Sequence, residues 1–153
     1  MALNINQKAP DFTLFSTEGK SFKLSEDMKG KPCIIYFYPK NFTPGCTKEA
    51  CGFRDAQSIF EELEIPIFGI SRDNPQSHLK FKKNYNLPYH LLSDENGQVC
   101  KAYKAIIPFL GIPKRITYLL DKDHIIVGVY DNMFDAYGHI KEMIEKLQNE
   151  EVE

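Results

Sequence analysis

Two kinds of apolar spacing divide this chain. Cys33-Ile34-Ile35-Tyr36-Phe37-Tyr38 is an unbroken run that stops at Pro39, and a short run closed by a breaker predicts a strand buried on both faces. Ile65-Pro66-Ile67-Phe68-Gly69-Ile70-Ser71 repeats the pattern, with its proline near the start, where a strand tolerates it. Between the two runs, Ala50, Phe53, Phe60 and Leu63 keep helical spacing from Cys46 onward. Thr43 is placed to cap that helix and Pro44 to open it, where a missing N–H costs nothing.

The flanks follow the same rules. Phe12 and Leu14 alternate with polar residues, Thr17-Glu18-Gly19-Lys20 turns, and Ser21-Phe22-Lys23-Leu24 alternates again, which predicts an N-terminal hairpin. Ser25 is placed to cap a brief helical turn. Asn74-Pro75 opens a second long helix that runs to about Tyr85, Tyr89-His90-Leu91-Leu92 reads as extended, and residues 98–104 as a short helix. Residues 115–120 and 125–130 form two strands joined by a tight turn over Asp121-Lys122-Asp123-His124. The last helix is amphipathic, with Phe134, Tyr137, Ile140, Ile144 and Leu147 on its expected buried face. This order predicts an α/β fold, a mixed central sheet flanked by helices. With neither repeats nor linkers, residues 1–153 are expected to form a single domain.

Composition narrows the partners. A net charge of −2 gives no pull towards nucleic acid or an anionic membrane surface. No apolar run approaches the ~20 residues of a membrane span, and the N-terminus lacks the basic and apolar regions of a signal peptide. The expected compartment is cytoplasmic and reducing, so Cys33, Cys46, Cys51 and Cys100 read as thiols at rest. Cys46 and Cys51 are separated by four residues and their nearest histidine in sequence is His78, so no metal site is expected. Cys46 carries the candidate chemistry. It falls in the opening turn of a helix, where unpaired N–H groups and the positive end of the helix dipole favour the nucleophilic thiolate.

Pro39-x-x-x-Thr43-x-x-Cys46, in its strand–turn–helix setting, continues into Thr47-Lys48-Glu49-Ala50-Cys51-x-Phe53-Arg54-Asp55. This segment closely resembles the peroxiredoxins, and among them the peroxiredoxin Q group, also called bacterioferritin-comigratory proteins. The resemblance runs from Ala9-Pro10-Asp11-Phe12 to the strand that begins at Arg115. It implies a thioredoxin-like fold and reduction of hydrogen peroxide and alkyl hydroperoxides through a cysteine sulfenic acid. By that resemblance Cys46 is the peroxidatic cysteine and Cys51 the resolving one. Thr43 binds substrate and thiolate, Pro39 shields the pocket, and Arg115 completes the site. The resemblance also implies a thioredoxin-like protein as reductant and no metal, haem or flavin. Phe42 departs from the family pattern, which often has a small acidic or amide residue there. The assembly expected is a monomer, with a dimer through the apolar loop Ile106–Gly111 as the alternative.

The residues carry this chemistry on their own terms. Arg115 supplies a permanent cation with fixed donors, Gly45 leaves the backbone N–H groups open to substrate, and Thr43 both donates and accepts. Residues five apart in an intact helix have Cα atoms about 8–9 Å apart, whereas disulfides rarely form beyond about 7 Å. Joining Cys46 to Cys51 therefore requires the first turns of the helix to unwind. Two other readings compete. A dithiol–disulfide oxidoreductase acting on protein disulfides would normally carry Cys-x-x-Cys, which is absent, and a copper-delivery protein would need a closer cysteine pair and a ligand such as His124. Cys33 and Cys100 read as structural, Lys48 and Glu49 as first-turn surface charges, and the histidines as surface or satisfied core groups.

Overall fold

Alternate residues of the central strand serve two different cores. The computed structural model describes residues 1–149 and orders them as β1 (Thr13–Ser16), β2 (Ser21–Lys23), α1 (Leu24–Asp27), β3 (Cys33–Phe37), α2 (Pro44–Asp55), α3 (Gln57–Glu62), β4 (Ile67–Ser71), α4 (Pro75–Asn84), β5 (His90–Ser93), α5 (Gln98–Ala102), β6 (Ile116–Leu120), β7 (Ile126–Asp131) and α6 (Ala136–Asn149). On β3, Cys33, Ile35 and Phe37 face the core shared with α1 and α5, which holds Leu24, Val99 and Cys100. Ile34 and Tyr36 face the opposite core, with Ala50, Phe53, Phe81, Ile140 and Met143 of α2, α4 and α6. A run apolar at every position is what a strand covered on both faces requires.

One seven-stranded sheet results, in the order β2-β1-β5-β4-β3-β6-β7. β3, β4 and β5 are parallel, β6 runs antiparallel to β3 and β7 antiparallel to β6, and the N-terminal hairpin adds to β5. The expected mixed sheet between helices is thus observed, and the short extended segment at Tyr89–Leu92 proves to be its third parallel strand. Among the described residues no helix is long and apolar enough to cross a membrane.

Four local expectations are corrected. Ser25 lies inside α1 instead of capping it; the Asp11 carboxylate accepts from both the backbone N–H and the hydroxyl of Ser25. Leu63 lies past the end of α3 and is exposed, because the helix stops at Glu62 and the chain turns away through Glu64, at a φ of 58°. Phe134 precedes α6 and, like Tyr137, points outward, while Ala136, His139, Ile140, Met143 and Leu147 form the buried stripe.

Three of the four histidines are buried, and each ring is hydrogen-bonded. Burial pushes His78 and His139 down to about 4 from the ordinary 6.5. The unfolded chain therefore binds these protons at a higher pH than the native state does, and stability falls as pH drops from 6.5 towards 4. Each ring accounts for a loss on the order of 3 kcal/mol once fully protonated. Urea unfolding midpoints should decline over this window and decline less in His78→Gln; a flat profile in the native chain would contradict the assignment.

Candidate active site

The first βα turn positions the site through three local devices. Pro44 and Gly45 open α2 behind Thr43, whose carbonyl accepts the first helical bond, from Thr47 N–H, at 2.9 Å. The amides of Gly45 and Cys46 consequently have no partner within the helix. Asn41 anchors the turn from below. Its backbone N–H donates to Asp73, its carboxamide NH2 to Ser77 Oγ and His78 Nδ1, and its carboxamide oxygen accepts from Tyr38 Oη at 2.6 Å. Phe42 takes a left-handed φ of 68° and lays its ring against Phe81 and Tyr85 of α4.

Helical spacing then fixes what stands beside the sulfur. Cys46, Glu49, Ala50 and Phe53 form the buried stripe of α2, three and four residues apart as one helix face demands. Cys46 is 1% exposed and Cys51, a quarter-turn or more away, is half-buried. Strand parity brings the cation. Ile116, Tyr118 and Leu120 of β6 face one core, so Arg115 and Thr117 point to the other side, where α2 and α6 lie. Arg115 Nη2 donates to Cys46 Sγ at 3.3 Å, Nη1 to Glu49 Oε1 at 2.6 Å, and Nε to the carbonyl of Met133 at 3.0 Å. Burial works against the Arg115 cation, but Glu49 and then Cys46 outweigh it and raise its pKa.

Gly45 is required by close approach, since a Cβ there would lie 3.0 Å from Arg115 Nη2. Gly52 faces α6 closely as well; a Cβ there would meet Ile140 Cδ1 at 2.9 Å, so that side chain would have to shift.

Glu49 is the residue the sequence reading missed. Expected as a surface charge, it is wholly buried and paired with Arg115. Burial pushes its carboxyl up to about 8, with Arg115 pulling the other way. Its position three residues after Cys46 was the available signal, because any residue there shares the buried face. The remaining expectations divide. Cys46, Gly45 and Arg115 come together. Thr43 stands at the helix start, but its hydroxyl donates to the Lys40 carbonyl at 2.7 Å. Pro39 borders a neighbouring cleft with Lys40, Arg72 and Ile112. Cys33 and Cys100 are buried, and burial raises both thiols, Cys33 to about 12.

A thiol beside a guanidinium, at the mouth of a helix whose amides are free, is an arrangement for attacking a polar O–O bond and holding the charge that leaves. The comparisons agree with that chemistry. The AhpC/TSA family model matches residues 5–129. The peroxiredoxin bcp of Coxiella burnetii is 42% identical over 154 residues, covering 96% of this chain and all of that one. Peroxidoxin BcpB from Mycobacterium tuberculosis superposes with a TM-score of 0.89 at 33% identity, over 96% of this chain and 97% of the other. The bacterioferritin comigratory protein of Xanthomonas campestris, described for its alkyl peroxide reduction activity, superposes with a TM-score of 0.85 at 27% identity, over 95% and 98%. With its thioredoxin-like sheet and a cysteine–arginine pair at the first βα turn, the chain belongs to the AhpC/TSA family and is a thiol peroxidase of the peroxiredoxin type.

Proposed function

We propose that this single-domain chain is a two-cysteine peroxidase of the cytoplasm. Cys46 thiolate attacks one oxygen of hydrogen peroxide or an alkyl hydroperoxide. The S–O bond forms as the O–O bond breaks, leaving Cys46 sulfenic acid and a hydroxide or alkoxide that takes up one proton to become water or an alcohol. Cys51 thiol then displaces the sulfenic oxygen as water and closes a Cys46–Cys51 disulfide. A thioredoxin-like dithiol reduces that bond. The observation that carries this reading is the 3.3 Å contact of Arg115 Nη2 with Cys46 Sγ at the start of α2.

Each further residue has a part in it. The free amides at Gly45 and Cys46 and the Arg115 guanidinium hold the negative charge of the departing oxygen. Thr43 turns its hydroxyl from Lys40 to the entering peroxide, and Pro39 keeps water from the sulfur on the β3 side. Two exposed rings support acceptance of alkyl groups. Phe42 precedes Thr43 and, though packed against Phe81 and Tyr85, leaves part of its ring exposed; Phe134 follows Met133, whose carbonyl holds Arg115, and its ring is fully exposed.

Counting thiols after peroxide addition tests the scheme. The native chain should lose two thiols quickly, Cys51→Ser should lose one, and Cys46→Ser should consume no peroxide above background. Stopped-flow consumption with each cysteine replaced gives the rates. If Cys51→Ser turns over with a thioredoxin-like donor as the native chain does, the resolving role belongs elsewhere.

A further inference from the structure

One guanidinium at the site serves two acids. Arg115 gives Nη2 to Cys46 Sγ and Nη1 to Glu49 Oε1. Glu49 is fully buried, and its second oxygen, Oε2, has no hydrogen-bond partner. The atom facing that oxygen is His139 Nδ1, 3.5 Å away on α6. His139 Nε2 lies 2.7 Å from the Asn132 carbonyl, which only accepts, so Nε2 carries the hydrogen. In the neutral ring Nδ1 is therefore a lone pair, and it lies 2.8 Å from the Thr117 hydroxyl. An orphaned carboxylate oxygen opposite a ring lone pair is a site that lacks a proton.

Charge explains when that proton is present. With Cys46 as thiolate and Glu49 as carboxylate, one buried cation faces two anions, and the surplus charge is costly away from water. Once Cys46 is oxidised its charge is gone, and the Arg115–Glu49 pair is balanced. Resting on the reading of Cys46 as the attacking sulfur, we propose that Glu49 and His139 form a proton-holding pair. Glu49 Oε2 binds a proton directed at His139 Nδ1 while Cys46 is a thiolate, and releases it when Cys46 becomes a sulfenic acid.

The surroundings fit this assignment. Burial raises Glu49 to about 8 and lowers His139 to about 4, so the proton belongs to the carboxyl and not to the ring. Tyr36 and Tyr89 are within electrostatic reach of Glu49, and burial keeps both neutral. Asp131 and Asp135 act on His139 in the opposite sense to burial and to Arg115, without overcoming them. The Nδ1 lone pair accepts from Thr117 while Glu49 is ionised, and from Glu49 once it is protonated.

The reaction balances around that proton. Thiolate and hydroperoxide give sulfenic acid and an alkoxide or hydroxide; sulfur loses two electrons and the O–O bond gains them. The leaving oxygen needs one proton, and the pair releases one, so no net proton is drawn from solvent. Glu49 and His139 do not touch the reacting atoms and act as positioning residues.

Proton counting decides the matter. The Cys51→Ser protein, held at the sulfenic acid, is mixed with hydrogen peroxide near pH 7 in weak buffer with an indicator dye, while ultraviolet absorbance follows the thiolate. Thiolate should disappear with almost no proton uptake, and uptake should climb towards one per sulfenic acid as pH rises through the pKa of Glu49. Adding Glu49→Gln should give one proton at every pH. Difference infrared spectra should show a carboxylic-acid band lost on oxidation, absent in that variant. One proton taken from solvent per sulfenic acid at neutral pH, with Glu49 in place, overturns the proposal, and needs no Glu49 variant to be seen. If Cys46 is not oxidised at all, the peroxidatic assignment itself fails.

Discussion

Arg115→Lys should lower the second-order rate with hydrogen peroxide by about a hundredfold, the effect of losing one preorganised donor at a site of developing charge. The native guanidinium satisfies Cys46 Sγ, Glu49 Oε1 and the Met133 carbonyl at once from three nitrogens fixed in a plane. An ammonium group is a single point and cannot sit at all three places. It keeps the charge and loses the geometry, so the variant separates the two contributions. Glu49 softens the structural damage: raised by burial and opposed only by Arg115, it holds a proton more firmly when its partner recedes. Stopped-flow mixing of reduced protein with peroxide measures the rate, and urea unfolding checks the fold. A rate within threefold of the native chain would show that Arg115 does not act on the sulfur.

The second large effect is structural. Oxidation to the Cys46–Cys51 disulfide should abolish the hydrogen-exchange protection of α2 over residues 43–55, while β3 and β4 keep theirs. Cα atoms five apart in a helix are about 8–9 Å from one another, beyond the reach of a disulfide. The start of α2 is built to yield. It contains Pro44 and Gly45, it has no acidic residue in its first turn, and Thr43 spends its hydroxyl on Lys40 instead of capping the helix. An uncapped end costs about 1 kcal/mol, and each helical glycine about as much again. Opposing this, Phe53 stacks on Tyr36 at 4.7 Å and Tyr89 Oη donates to the Ala50 carbonyl at 2.9 Å. Those contacts hold the second half of the helix, so melting should begin at Pro44. Mass-spectrometric exchange on the two redox forms gives the result directly. A disulfide proven by mapping, with protection over α2 unchanged, would falsify this account.

Much of this was legible in the chain. The run at residues 33–38 could only be a strand covered on both faces, and Pro44 placed the helix start to the residue. The errors share a cause. Phe134 and Tyr137 were assigned to the core because they are apolar, and Glu49 to the surface because it is charged. In the folded chain burial follows position on the helix stripe: His139 and Glu49 occupy inward positions, Tyr137 an outward one, and Phe134 lies before the helix begins. A side chain's hydrophobicity sets the cost of burying it, whereas the face it stands on decides whether it is buried.

The sequence by itself determined the elements, the sulfur at the head of α2 and the family to which they belong, because these depend on neighbours within a few turns of chain. The tertiary structure decided which charges meet. Arg115 stands 66 residues from Glu49, and His139 approaches from a third element. Only strand parity on β6 and the packing of α6 against α2 bring them to one buried point. Local pattern cannot encode such a meeting, because its energy exists only once the water between those elements has been removed.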